Sequence, residues 1–260
     1  MLHEHTEIIG LTRQNLTAED LFARVELCVN EIDKVCDPVA LKAMQEKTHL
    51  LQFDPNTGED YIKLLEDLNG TEEKHGQCMN RLYYLSIPPN IFKTTVQNLG
   101  QYGLNQSCQH GVADTRLLVE KPFGYDLTSA KELLAETGKV FREEQVFRIE
   151  HYLAKETVQN ILTFRSYNPI FAAVWGHNHI RSIEITAAEK IGIEGRANFY
   201  EGVGALREIV QSHLLQLLAL VTMELPDSME SIEAVHTAKH ELLKAVRPAE
   251  PGRAVRAQYD

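Results

Sequence analysis

Between residues 7 and 149 the sequence alternates short apolar runs with amphipathic helical stretches, and this alternation restricts the fold more than any other feature. The runs at 7–11, 50–53, 81–86, 116–120 and 145–149 have strand length and strand composition. Between them, Thr17 with Asp20 reads as an N-cap and first-turn acid, opening a helix through residue 29. Residues 126–140 place Leu127, Ala130, Leu133, Leu134 and Thr137 on one stripe, with charged residues opposite. Short strands joined by such helices predict a parallel, doubly wound α/β sheet.

After residue 149 the texture changes. The pattern predicts a helix over 155–164, a β-strand over 180–186, an irregular stretch to Tyr200 and a long apolar helix over 205–223. One more helical stretch follows Pro226, until Pro248, Pro251 and Gly252 break it. A domain boundary therefore falls near 150, with one domain over 1–150 and the next beginning over 151–260. Phosphate-binding sheets of this kind normally carry a glycine-rich turn after their first strand. No G-x-G-x-x-G precedes Glu7, so either the sheet is not nucleotide-binding or its first strand–helix unit is missing.

Composition excludes several classes. With 43% hydrophobic and 24% charged residues, the 260-residue chain reads as globular. Its longest near-apolar stretch, 214–223, is broken by Gln216 and falls short of the roughly 20 residues a membrane span needs. His3, Glu4, His5 and Glu7 stand where a signal peptide would need a basic end and an apolar middle. A net charge of −11 disfavours nucleic-acid partners, though a local cluster of cations can still hold a small anion. The four cysteines, Cys28, Cys36, Cys78 and Cys108, form no C-x-x-C pair. Reduced thiols in a cytoplasm are the expectation, with neither a disulfide framework nor a cysteine metal site.

Three segments concentrate chemistry. In Arg148-Ile149-Glu150-His151-Tyr152-Leu153-Ala154-Lys155-Glu156 a strand is expected to run into a helix. On a helical first turn His151 and Lys155 share a face beside Tyr152, a possible phosphate socket with helix-start N–H groups behind it. By spacing alone, a solvated helix start with ordinary charges is the simpler reading. Glu120-Lys121-Pro122-Phe123-Gly124 ends a strand where such sheets place ligands, and Pro122 restricts Lys121 to extended backbone. An ordinary strand-to-loop turn is an equal reading. His213 lies beside Leu214, Leu215 and Leu217 in the apolar helix, either a hydrogen-bonded core residue or a tuned base, and by itself the core reading is simpler. Arg13, at the end of the first strand, is a surface residue or the cation for a ribose 2′-phosphate. The pairs His177/His179 and His236/His240 have no supporting ligands and are read as surface histidines, so no metal site is expected.

Taken together, these segments resemble the glucose-6-phosphate dehydrogenase family. Arg-Leu-Tyr-Tyr-Leu-Ser-Ile-Pro-Pro (81–89), Leu-Val-Glu-Lys-Pro-Phe-Gly (118–124), Phe-Arg-Ile-Glu-His-Tyr-Leu-Ala-Lys-Glu (147–156), Glu-Gly-Arg (194–196) and Gln-Ser-His-Leu-Leu-Gln (211–216) follow one another in that family's order. The resemblance implies an incomplete Rossmann-type NADP-binding domain, lacking its first strand and glycine-rich turn. After it would come the start of an α+β substrate and dimerisation domain with an antiparallel sheet. It implies NADP-dependent oxidation of glucose 6-phosphate at C1 to the lactone, the opening of the oxidative pentose phosphate pathway, in proteins that assemble as homodimers or tetramers. By the same resemblance Arg13 selects NADP, and Lys121 lies between nicotinamide and sugar. His151, Tyr152 and Lys155 hold the 6-phosphate, Glu189 and Glu208 meet sugar hydroxyls, and His213 is the general base.

This sequence departs from the family pattern at several of these positions. The family has Asp where Glu150 and Glu208 stand, and at the first of these the carboxylate orients the catalytic histidine and stabilises its charged form. An added methylene is expected to displace each carboxylate by about 1 Å unless the backbone compensates. Ser212 stands for an asparagine and Ala154 for a glycine. The rival reading is a catalytically silent, truncated homologue that only binds sugar phosphate or a partner chain.

Overall fold

The computed structural model of the chain describes every residue except 1–2, 32–36, 107, 109–112, 189–191, 193–196, 230, 256 and 258–260. It comprises two compact units, Met1–Ile149 and Glu150–Asp260.

The first unit runs β1 (Ile8–Thr12), α1 (Ala18–Glu31), α2 (Pro38–Glu46), β2 (Thr48–Gln52), α3 (Gly58–His75), β3 (Arg81–Leu85), α4 (Pro89–Gln101), β4 (Thr115–Val119), α5 (Leu127–Gly138) and β5 (Val146–Arg148). All the pairings are parallel, as the strand–helix alternation predicts. The expected sheet is divided in two: β1 pairs with β2, Ile8 opposite Thr48, and β3-β4-β5 form a separate three-stranded sheet. Local chemistry sets the helix starts. The Thr17 hydroxyl accepts from Asp20 N at 3.2 Å while the Asp20 carboxylate accepts from Thr17 N at 3.0 Å. Asp126 and Ser129 repeat this reciprocal cap at the start of α5.

One core serves the unit. Tyr61 and Leu64 of α3 and Val96 and Leu99 of α4 pack with Leu117 and Val119 of β4, all buried. Side chains alternate along a strand, so Tyr83 and Leu85 of β3 join this core while Leu82 and Tyr84 point away. On that second face Leu82, Tyr84 and Phe147 are exposed at 62%, 55% and 43%. The Lys121–Pro122 peptide after β4 is cis. Gly124 adopts φ +89°, and a Cβ there would lie 2.5 Å from the Ala130 backbone nitrogen, so this turn requires glycine.

The cysteines correct the sequence reading. Cys78 and Cys108 are joined as a disulfide with their Cα atoms 5.8 Å apart. They are 30 residues apart in sequence, so no local spacing reveals them. Each lies in the segment leading into β3 or β4, and the parallel pairing of those strands brings both approaches to one sheet end.

The second unit is helical: α6 (Glu156–Tyr167), α7 (Pro169–Ala172), α8 (Ala197–Ala205), a π-helical segment (Leu206–Leu214), α9 (Leu215–Thr222) and α10 (Ile232–Ala245). The strand expected over 180–186 is irregular, and no antiparallel sheet occurs among the described residues. An extended segment becomes a strand only by exchanging hydrogen bonds with a neighbour, and the described part of this unit offers none. No described helix is long and apolar enough to cross a membrane.

Candidate active site

The second unit begins with the turns that carry most of the candidate residues. Residues 151–154 are not helical, contrary to the expectation of a helical first turn. Leu153 N, Ala154 N and Lys155 N donate three residues back, to the carbonyls of Glu150, His151 and Tyr152, as successive tight turns. Helix α6 starts only at Glu156, with Lys155 as an extended N-cap. The Glu150 carboxylate competes for local donors, accepting from Tyr152 N at 3.0 Å, and this favours turns over helix.

His213 reaches these turns from the π-helical segment. Wide π-helical turns inside α-helices recur at functional sites because they re-aim a side chain. Here Ser212 Oγ donates to the Arg207 carbonyl five residues back at 3.0 Å, and Leu215 N to that of Val210. The His213 ring is 1% exposed, with Nδ1 2.6 Å from Glu150 Oε1. In the tautomer that donates from Nδ1 to Glu150, Nε2 is the acceptor nitrogen of the ring. Tyr152 stacks on the imidazole, centroids 3.9 Å apart, and His151 meets it edge-on at 4.7 Å. The Lys155 ammonium sits 3.6 Å above the Tyr152 ring, a cation–π contact at the open side. The longer side chain of Glu150 makes a short contact with the imidazole, 2.6 Å from Nδ1.

Packing explains why this arrangement holds. Val158 of α6 and Leu220 and Met223 at the end of α9 form a small core that α10 completes through Val235, Ala238 and Leu242. Arg165 of α6, 7% exposed, donates to the carbonyls of Leu220 at 2.6 Å and Met223 at 2.7 Å. Those carbonyls end α9 and lack helical partners. Burial pulls the Arg165 guanidinium downward, with Glu224 opposing. On α10, Lys239 donates to Gln216 Oε1 at 2.9 Å. Burial lowers its ammonium, and the Glu150 carboxylate pulls the other way. Neither Arg165 nor Lys239 carries a motif that would single it out in the sequence.

The structure thus gathers Glu150, His151, Tyr152, Lys155 and His213 in the second unit. Glu208, partly buried, lies on the same π-helical segment as His213. Glu189 and the Glu-Gly-Arg motif at 194–196 lie outside the described residues. Arg13 and Lys121 belong to the first unit. Arg13 follows β1 and lines a cleft with Gln52, Phe53, Asp54, Asp60 and Lys63, at the carboxyl ends of β1 and β2. Lys121 follows β4 and is partly buried. The two histidine pairs at 177/179 and 236/240 are exposed.

Comparison with known proteins agrees with the motif order. Residues 1–160 match the family model described as glucose-6-phosphate dehydrogenase, NAD binding domain, and 162–260 match that of its C-terminal domain. Glucose-6-phosphate 1-dehydrogenase 2 of Mycobacterium tuberculosis is 39% identical over 248 residues, 94% of this chain and 47% of the relative. The crystal structure of glucose-6-phosphate 1-dehydrogenase from Mycobacterium avium superposes with a TM-score of 0.85 at 34% identity, covering 98% of this chain and 52% of that one. A glucose-6-phosphate dehydrogenase solved in complex with its substrate glucose-6-phosphate gives 0.84 at 34% identity, covering 94% and 50%. The chain spans about half the length of the curated relatives it matches. It belongs to the glucose-6-phosphate dehydrogenase family.

Proposed function

We propose that the Glu150–His213 pair and the cationic turn beside it serve the oxidation of glucose 6-phosphate at C1, with NADP as acceptor. One observation carries the reading: a buried imidazole held by a carboxylate at 2.6 Å, in contact with the turn that bears His151, Tyr152 and Lys155. Glu150 fixes the tautomer of His213, so that Nε2 takes the C1 hydroxyl proton as C1 loses a hydride. His151, Tyr152 and Lys155 donate hydrogen bonds and charge to the 6-phosphate, and Glu208 accepts from a sugar hydroxyl. When bound, the nicotinamide ring supplies the hydride acceptor.

The first unit offers donors that fit a 2′-phosphorylated dinucleotide. Arg13 and Lys63 border one cleft at the carboxyl ends of parallel strands, where such sheets take their ligands. Asp60 pairs with Lys63 at 2.8 Å, leaving Arg13 as the principal cation for the phosphate. Arg13→Ala should therefore reduce the preference for NADP over NAD by roughly tenfold or more, the worth of one charge-assisted bond. Equal preference ratios for variant and parent, from fluorescence titration with both reduced cofactors, would take Arg13 out of the cofactor site.

Lys155 tests the substrate assignment. Glucose 6-phosphate should bind measurably better than glucose, and Lys155→Ala should remove most of the difference, about 1.5–3 kcal/mol. Lys155 is exposed, so its truncation should leave the fold intact, checked by an unchanged circular dichroism spectrum. Calorimetry showing the same affinity for sugar and sugar phosphate in the parent would dismiss the phosphate socket.

A further inference from the structure

Glu150, His151 and His213 each offer one ligand atom, and the three atoms lie within 4.8 Å of one another. The sequence does not announce this set, because the third ligand is some sixty positions away and the obvious histidine pairs lie elsewhere. We propose that these three residues form a binding site for a divalent transition-metal cation of the Zn²⁺ type, open at its fourth position.

Two imidazoles and a carboxylate are a donor set that zinc takes in tetrahedral sites with one place left for water. Ligand atoms sharing a tetrahedral zinc stand about 3.4 Å apart, given bond lengths near 2.1 Å. One observed separation is shorter, 2.6 Å between Glu150 Oε1 and His213 Nδ1, and all three atoms lie within 4.8 Å of one another. Small side-chain rotations therefore suffice, since Glu150 and His151 are neighbours on a turn. The three residues also differ usefully in burial. His213 is buried and held by the helix, Glu150 is partly buried, and His151 is exposed, so an ion enters from the His151 side.

Donor type sets the selectivity, because the nearby ammonium groups oppose every divalent cation alike. Lys239 on α10 and Lys155 at the start of α6 are cations near these ligands, and the cluster has only one carboxylate. Hard cations such as Mg²⁺ and Ca²⁺ need several oxygen ligands and are not served here, whereas imidazole suits Zn²⁺ and Co²⁺. A bound ion would take the nitrogen and oxygen lone pairs that orient the base, so occupancy would silence His213. This inference concerns the ligand set itself and does not depend on which sugar or cofactor the protein uses.

The test uses Co²⁺, whose tetrahedral complexes absorb visible light strongly, on the chain without sugar or cofactor. One equivalent should give the tetrahedral spectrum, Zn²⁺ should abolish it, and excess Mg²⁺ should leave it unchanged. His151→Gln, at an exposed position, should weaken Co²⁺ binding by at least roughly tenfold, and Glu150→Gln likewise. The double variant His177→Gln/His236→Gln should bind as the parent does. A missing tetrahedral spectrum, binding unaffected by His151→Gln, displacement by Mg²⁺, or loss of binding in the surface double variant would each overturn the site.

Discussion

His213→Asn is expected to lower glucose 6-phosphate oxidation on the order of 10² to 10⁴-fold, the usual cost of deleting a general base. Sugar-phosphate affinity should stay within about twofold of the parent, because binding energy is assigned to the phosphate-facing cations and the base acts only on the C1 proton. Asparagine is smaller than imidazole but keeps a polar group near Glu150, whose carboxylate otherwise loses its His213 partner at 2.6 Å. Steady-state rates in the protein that carries this chain, paired with calorimetric affinities, separate the two effects. Parental turnover in the variant would make His213 the core histidine that its leucine neighbours suggest.

Arg165→Ala should cost about 2–4 kcal/mol of stability. The guanidinium satisfies two carbonyls at the end of α9, at Leu220 and Met223, and also lies 5.4 Å from the Trp175 ring centroid. Truncation leaves those carbonyls buried without donors and opens a cavity between α6 and α9. Trp175 is the only tryptophan of the chain, and its indole donates to the Val221 carbonyl at 2.8 Å, so its fluorescence reports this unit alone. Urea unfolding should show a lower midpoint at unchanged slope. An unchanged midpoint would mean that the two carbonyls find other donors.

Much of the first unit was legible because period and punctuation agree there. Strands such as Arg81–Leu85 are apolar runs of about the right length, and the caps at Thr17 and Asp126 declare their helices. What stayed hidden depends on contacts distant in sequence. The Cys78–Cys108 pair forms only because β3 and β4 align, and the turns at 151–154 replace a helix because Glu150 captures a backbone donor. Residues 180–186 look like a strand by composition, but strand formation needs a partner that composition does not report. For the candidate site, the motifs named Glu150, His151, Tyr152, Lys155 and His213. Their mutual geometry, the partly buried Lys239 near Glu150 and the Arg165 clamp are products of packing among α6, α9 and α10.

The central claim is that this cluster receives the sugar phosphate, and the imidazole resonances of His151 and His213 test it most directly. Two-dimensional NMR of histidine-labelled protein should show both rings shifting on titration with glucose 6-phosphate, with the same apparent affinity, and barely moving with equimolar glucose. His177 and His236, exposed and remote from the cluster in sequence, serve as internal controls that stay in place. Saturable binding of glucose 6-phosphate with His151 and His213 unmoved would contradict the account and send the phosphate elsewhere on the molecule.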